Sequence, residues 1–321
     1  MDYNSRITRL RKGLRNIDGF IIIDSLNIRY LTGFTGEGVL LVTHEDNFLY
    51  TGFIYYELAK NEVENAEIIY TKGNLFKELA QSAPIRGLKR IGYEPEVMTC
   101  ARFEVLKKLL KGKRLIPLKN KIYKMREIKD KNEIKLLREA AKITSEAFQE
   151  IKEMIKPGIR EEDIMFEIVR KFREKGGEKP SFEIIVASGA NGAYPHARVG
   201  KTKIQPNDVV VIDMGVYYKN YASDMTRTVI VGKPKSEAFR VYEIVKEAQA
   251  RAIEAVRPGI RLSELDKIAR DYIKKHGYGD AFGHGLGHGI GLAVHESPRV
   301  SWLNRSTVRP GMVFTIEPGV Y

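Results

Sequence analysis

Two aspartates, Asp213 and Asp224, lie eleven residues apart in the stretch QPNDVVVIDMGVYYKNYASDMTRT at residues 205–228. Residues 209–212 are β-branched and apolar, Lys219-Asn220 stand where a turn would fall, and an extended pattern resumes at Tyr221. A turn centred between Tyr218 and Lys219 predicts a hairpin in which the two acids face each other, with Cβ atoms ~5 Å apart. Carboxylates that close repel, so either one is neutralised by a raised pKa or a cation sits between them. An apolar strand ending in Asp beside a second Asp fits a metal site on a sheet. Two solvated acids at a hairpin end fit the same letters.

The histidines narrow the choice. His284, His288 and His295 fall within twelve residues of one another in GHGLGHGIGLAVHESP, residues 283–298. Glycines around them let the backbone approach a ligand closely. A lone histidine is more often structural than a ligand, but three beside carboxylates change that balance. Imidazole and carboxylate together suit Mn, Fe, Co or Zn better than Ca or Mg. His196, in ASGANGAYPHA at residues 187–197, falls in a loop between two expected strands, a common place for a site residue. His276 beside Gly277 reads as a cap at a helix C-terminus. His44 is remote.

Internal repetition supplies the elements that must carry these residues. Ile134, Leu137, Ala141, Thr144, Phe148, Ile151 and Ile155 mark one face of a long helix that stops at Pro157-Gly158, and a second helix over 161–175 ends at Gly176-Gly177. The motif IKPGIR between them, at residues 155–160, returns 101 residues later as VRPGIR, again between helices. The apolar faces of the second pair fall at Val241, Ile244, Val245, Ala248 and at Leu265, Ile268, Tyr272. The strand after each pair repeats at an offset of 104: residues 205–213, ending in Asp213, align with residues 309–317, ending in Glu317. Two copies of one supersecondary unit pack about a pseudo-two-fold axis. A site on that axis draws Asp213 from one half and Glu317 from the other.

Ahead of this lies a segment of a different kind. Strands are expected at residues 19–24, 38–43, 48–51, 66–70 and 90–93, with helices at 5–15, 54–60, 74–81 and 102–111, which is an α/β pattern. TGFTGEG at residues 32–38 lacks the Walker lysine and the dinucleotide spacing, and reads as a turn. Residues 119–131 are basic, low in hydrophobicity and suited to a linker. With 321 residues, 43% of them hydrophobic, the chain can build two cores. A single cysteine, Cys100, excludes an internal disulfide framework and fits a reducing, cytoplasmic setting. No apolar run is long enough for a membrane span, and the amphipathic N-terminus is not a signal peptide. The net charge of +13 is spread along the chain and interleaved with Glu, so neither nucleic acid nor membrane is expected as a partner. A Lys/Glu/Ile-rich, cysteine-poor chain also matches a heat-adapted composition.

Taken together, IDMG with Asp213, SDMTRT with Asp224, GHGLGH with His288 and TIEPG with Glu317 resemble the pita-bread metallopeptidases of family M24, in the Xaa-Pro dipeptidase (prolidase) and aminopeptidase P branch. The resemblance covers essentially the whole chain. It implies an α/β N-terminal creatinase-like domain over residues 1–122 and an α+β pita-bread catalytic domain over 123–321, with an internal pseudo-two-fold repeat. It implies that Asp213, Asp224, His288 and Glu317 hold two divalent metal ions (Mn, Co, Zn or Fe), with Asp224 bridging them. Catalysis would then fall to His196, His295 and Glu317, and substrate binding to His196, His284 and His295. The implied reaction is hydrolysis of the N-terminal Xaa-Pro bond of dipeptides or short peptides by a hydroxide held between the metals. A peptide with proline at its second position is the implied partner, and a homodimer the implied assembly.

One departure goes with the resemblance. The family has a fifth ligand, a bridging Glu after the TIEPG strand, whereas this sequence ends at Tyr321. The repeat gives the same expectation, because Glu317 has no return strand to match the one carrying Asp224. A C-terminally truncated chain that binds metal weakly and is close to inactive is therefore expected. Two other readings stay open: a methionine-aminopeptidase-type enzyme, which the long N-terminal segment disfavours, and a non-catalytic pita-bread binding protein. A creatine-hydrolysing relative does not use the metals, and the four retained ligands speak against it.

Overall fold

Short apolar runs set the architecture of the first half of the chain, and amphipathic helix pairs set that of the second. The computed structural model describes residues 1–233 and 235–321, which form two units, Met1–Arg126 and Glu127–Tyr321.

The first unit holds strands β1 (Gly19–Ile22), β2 (Val39–Thr43), β3 (Asn47–Gly52), β4 (Glu67–Thr71), β5 (Arg90–Tyr93) and β6 (Arg114–Pro117). They form one sheet in the order β4-β3-β2-β1-β5-β6. β1, β2 and β3 pair antiparallel, while β3·β4, β1·β5 and β5·β6 are parallel. All of β1 and the VLLV of β2 are buried, as expected of strands covered on both faces. The helices are α1 (Tyr3–Lys12), α2 (Ser25–Thr32), α3 (Phe53–Glu62), α4 (Leu75–Gln81), α5 (Ala83–Arg86), α6 (Cys100–Leu109) and α7 (Lys121–Arg126). Helix α2 and strand β6 were not anticipated. Local chemistry fixes α2: the Asp24 side chain caps the N–H groups of Leu26 and Asn27, and Gly33 closes the helix at φ 86°. The TGFTGEG segment is therefore a helix end followed by a loop.

Helix α7 occupies part of the expected linker, because a buried polar network holds it. Glu94, 2% exposed, accepts from the N–H groups of Ile23 and Asp24 and from Asn27 Nδ2 at 2.8, 3.0 and 2.6 Å. Arg126 Nη1 donates to Asn27 Oδ1 at 2.9 Å, and Tyr123 Oη to Asp24 Oδ2 at 2.6 Å. Burial pushes the Glu94 carboxyl up to about 7, with the Asp24 charge adding to it, although three donors pull the other way.

In the second unit the order is α8 (Lys131–Ile151), α9 (Glu161–Glu174), β7 (Ile185–Ser188), β8 (Val209–Met214), β9 (Tyr217–Tyr218), β10 (Tyr221–Ala222), β11 (Met225–Ile230), α10 (Ser236–Glu254), α11 (Leu262–Lys275), β12 (Gly287–Gly289) and β13 (Glu296–Val300). Helix α8 starts with a capping box between Asp130 and Glu133 and buries Leu137, Ala140, Ile143, Thr144, Ala147 and Ile151. Ala140 lies on that face; the expected Ala141 is exposed.

The repetition reaches individual hydrogen bonds. Gly158 N–H to Ile204 O recurs as Gly259 N–H to Val308 O, and Ile204 N–H to Ile159 O as Val308 N–H to Ile260 O. Glu161 N–H to Thr202 O recurs as Leu262 N–H to Ser306 O. The left-handed residues repeat as well, with Gly158 (φ 93°) answered by Gly259 (φ 92°) and Asn207 (φ 69°) by Gly311 (φ 88°). Each copy closes its own core. One contains Ile151, Ile164, Ile168, Val210 and Ile212; the other contains Ile244, Ala248, Leu265, Ala269 and Leu286.

Two expectations need correction. The hairpin turn is centred between Lys219 and Asn220, both at positive φ (46° and 66°), as a two-residue primed turn requires. That centre pairs Tyr218 with Tyr221 and places Thr226, not Asp224, opposite Asp213. Asp224 is the diagonal neighbour, two residues before Thr226, at a reach of ~7–8 Å rather than ~5 Å. In the second copy, residues 309–317 do not form a continuous strand. They meet the three-residue β12 and its flanks only through separate backbone bonds and an isolated bridge between Gly289 and Phe314.

Candidate metal centre

Backbone pairing in the second copy brings two ligands together. Segment 313–317 runs antiparallel to β12 through Ile290 N–H to Val313 O at 3.2 Å, Thr315 N–H to His288 O at 2.8 Å and Glu317 N–H to Leu286 O at 2.8 Å. Glycine makes this approach possible, because a Cβ at Gly287 would lie 2.1 Å from Thr315 O. On the other side of β12, strand β13 pairs antiparallel through Gly287–Val300 and His288–Arg299. The hairpin of the first copy supplies Asp224, between β10 and β11.

These elements converge on one cluster. Ligand atoms of Asp224, His288 and Glu317 all lie within 4.8 Å of one another. His288 Nε2 is 3.3 Å from Asp224 Oδ2 and 3.0 Å from Glu317 Oε1. Its Nδ1 is 3.1 Å from Gly289 O, which fixes the tautomer with Nε2 facing the carboxylates. Asp213 is not one of the three, but it borders them. Burial, followed by the charge of Asp224, pushes its carboxyl up to about 6, and Thr226 Oγ1 holds it by donating to Oδ1 at 2.8 Å. Burial pulls the His288 imidazole down, yet its hydrogen bonds to Asp224 and Glu317 outweigh that and carry it up to about 10. Glu317 is half-buried; loss of water works to raise its carboxyl, but the contact with His288 outweighs that and keeps it below the ordinary range.

The donor set fits a divalent cation. Two carboxylates and an imidazole with its outer nitrogen tied to a carbonyl are oxygen and nitrogen ligands of intermediate hardness. A cation among them would relieve the repulsion that raises Asp213 and would replace the proton that His288 otherwise takes up.

Two further residues shape the cluster. Thr315 Oγ1 donates to Glu317 Oε1 at 2.8 Å and accepts from the His288 N–H at 3.0 Å, coupling one ligand's carboxylate to the other's backbone. Thr226 Oγ1 likewise donates to the carboxylate of Asp213. Period-two alternation was the available signal: Thr226 is Asp224 plus two and Thr315 is Glu317 minus two, so each shares its acid's strand face. Thr315→Val is expected to weaken metal binding roughly 10- to 100-fold while leaving the melting temperature within a few degrees. Calorimetric titration with Mn(II) or Co(II) checks this, and an unchanged affinity would remove Thr315 from the site.

The auxiliary histidines are placed unequally. His295 packs its ring on His288, centroids 4.0 Å apart. Loss of water there, then the His288 charge, lowers its pKa. His196 is exposed in the loop after residues 189–193, near enough to His295 for its charge to register there. His284 is half-buried against Phe282, with Nδ1 2.8 Å from Gly285 O and its ring 5.9 Å from that of Tyr321. Arg270 anchors this loop by donating to Phe282 O and His284 O at 2.7 and 2.6 Å. His276 Nδ1 is 2.8 Å from Tyr272 O at the end of α11, away from the cluster.

Known proteins resemble the chain over nearly its whole length. Residues 135–321 match Metallopeptidase family M24, and residues 6–128 match the Creatinase/Prolidase N-terminal domain. An uncharacterised peptidase of Bacillus subtilis, YqhT, is 40% identical over 98% of this chain and 90% of its own length. A Pyrococcus horikoshii protein named Xaa-Pro dipeptidase is 39% identical over 95% of this chain and 86% of its own. Among solved structures, an Xaa-Pro dipeptidase from Bacillus anthracis superposes with a TM-score of 0.95 at 37% identity, covering 99% of this chain and 90% of that one.

Proposed function

The chain belongs to metallopeptidase family M24, with the pita-bread fold of the prolidases, and from that premise we propose that it hydrolyses the N-terminal Xaa-Pro bond of dipeptides or short peptides. The observation that carries this reading is the meeting of Asp224, His288 and Glu317, with the His295 ring packed at a tilt against that of His288. Asp213, Asp224, His288 and Glu317 would hold two divalent ions (Mn, Co, Zn or Fe), which supply a hydroxide at neutral pH and polarise the substrate carbonyl.

Around that centre the side chains have separate tasks. Glu317 Oε1 contacts both His288 and Thr315, so Thr315 keeps the carboxylate oriented while it passes a proton to the departing proline nitrogen. His295, with its pKa lowered, is neutral near pH 7 and donates a hydrogen bond to the developing oxyanion rather than a full charge. His196 approaches the same oxyanion from its loop, and His284 lines the substrate side. The free amine of the substrate would bind beside the metal-holding carboxylates, which would limit cleavage to the N-terminal bond. Homodimeric assembly and a cytoplasmic setting belong to the same proposal, the latter supported by the single, exposed Cys100. No helix among the described residues is long and apolar enough to cross a membrane.

Side-by-side assays of an Xaa-Pro dipeptide, a longer Xaa-Pro peptide and Met-Ala, each with added Mn(II), test the proposal. Cleavage of the Xaa-Pro substrates with Met-Ala left intact is expected. Preference for Met-Ala would point to a methionine-aminopeptidase-type enzyme instead, and cleavage of none to a binding protein.

A further inference from the structure

Lys129 and Glu296 form a buried ion pair at 3.0 Å, with side chains only 1% and 4% exposed. Neither belongs to the metal cluster, yet Glu296 directly follows His295 and opens β13, the strand that pairs with the one carrying His288. Resting on the reading above, we infer that the Lys129–Glu296 pair is a positioning device that sets His295 for its contact with the substrate.

The contacts run in a chain. Lys129 is fixed by its own backbone, whose N–H donates to Gly311 O at 2.8 Å, and by α8, which begins two residues later at the Asp130–Glu133 capping box. Its ammonium holds the Glu296 carboxylate beneath the loop of residues 290–295. The other carboxylate oxygen accepts from Ala293 N–H at 3.4 Å. Gly291 is shaped to this arrangement, because a Cβ there would lie 2.3 Å from Glu296 Oε1. The same short segment reaches the opposite half of the site: Tyr221 Oη donates to Glu133 Oε1 at 3.1 Å, and Ala222 N–H donates to Gly291 O at 2.9 Å. Residues 129–133 thus tie the loop bearing His295 to the hairpin bearing Asp224.

Stability alone does not account for the pair. Taking two charges out of water costs about as much as their attraction returns, and apolar replacements of similar volume are often neutral. What the pair adds is a directional constraint on Glu296, and hence on the backbone from which His295 projects. Positioning partners of this kind typically change activity roughly 10- to 100-fold when removed.

The test compares the wild-type protein with Lys129→Met, Glu296→Gln and the double variant Lys129→Met/Glu296→Gln. Each single variant leaves one partner buried without its counterpart and is expected to melt earlier. Removing both charges restores the melting temperature, so a fold defect and a positioning defect separate. For the double variant we expect kcat on an Xaa-Pro dipeptide to stay down roughly 10- to 100-fold, with KM and bound metal near wild type. Histidine-selective NMR supplies a readout independent of activity: the His295 ring resonances should shift or broaden while those of His276 stay in place. A double variant with wild-type kcat and an unmoved His295 resonance would overturn the inference. Wild-type protein inert on every Xaa-Pro substrate would defeat the proposed reaction, and the His295 resonance would then decide the pair's role by itself.

Discussion

Replacing His288 by alanine is expected to lower kcat/KM on an Xaa-Pro dipeptide by well over a hundredfold and to abolish metal binding at the cluster. The imidazole is the one nitrogen ligand in the cluster, and it contacts both Asp224 and Glu317. Loss of residues that merely support a ligand already costs roughly 10- to 100-fold, so loss of the ligand itself must exceed that. The substitution also leaves two largely buried carboxylates facing each other without the group that shields them, which adds a penalty to the metal-free fold. Thermal melts with and without Mn(II), alongside kcat/KM, separate the two effects. Wild-type metal affinity in the alanine variant would show that His288 is not a metal ligand.

The second large effect is on pH dependence. In the metal-free protein the imidazole of His288 titrates at about 10 and the carboxyl of Asp213 at about 6. The folded pKa of His288 lies above its ordinary value of 6.5. Its contribution to stability is therefore complete below about 6.5 and lost as pH rises through about 10. Asp213 behaves in the same sense over a lower window, complete below about 3.8 and lost through about 6. Metal reverses the trend, because it must displace the His288 proton to bind. Apparent affinity for the ion that His288 holds should rise about tenfold per pH unit through the neutral range, with one proton released as that ion binds. Below about pH 6 the slope should steepen as Asp213 protonates as well. Metal titrations in buffers of different ionisation enthalpy count the protons directly, and an affinity independent of pH between 6 and 9 would contradict the assignment of His288.

Much of this site is legible in the sequence, for definite physical reasons. An apolar β-run ending in an acid, repeated after the same Pro-Gly helix junction, points to Asp213 and Glu317 because each closes the corresponding segment of one duplicated unit. The glycine-framed histidines stand out because close backbone packing tolerates nothing larger, as Gly287 shows. The expected turn centre differs from the observed one by a single residue, so Thr226 rather than Asp224 faces Asp213. In a strand of period two that small error exchanges partners without changing the face, so the cluster survived it. The hydroxyls of Thr226 and Thr315 were within reach of the same alternation argument. Lys129 and Glu296 were not, since each reads as an ordinary surface charge and only the tertiary fold brings them together and buries them. Helix α2 escaped for a different reason: its evidence lies in the cap residues Asp24 and Gly33, with a short apolar segment between them.

Everything argued for the site rests on Asp224, His288 and Glu317 acting as a metal centre for peptide hydrolysis. The most direct measurement titrates Mn(II) or Co(II) into metal-free protein at mildly alkaline pH while following hydrolysis of an Xaa-Pro dipeptide. The predicted result is hydrolysis that rises with bound metal, saturates with it and disappears on chelation. Hydrolysis at full rate in the presence of excess chelator, with no metal retained by the protein, would contradict the account.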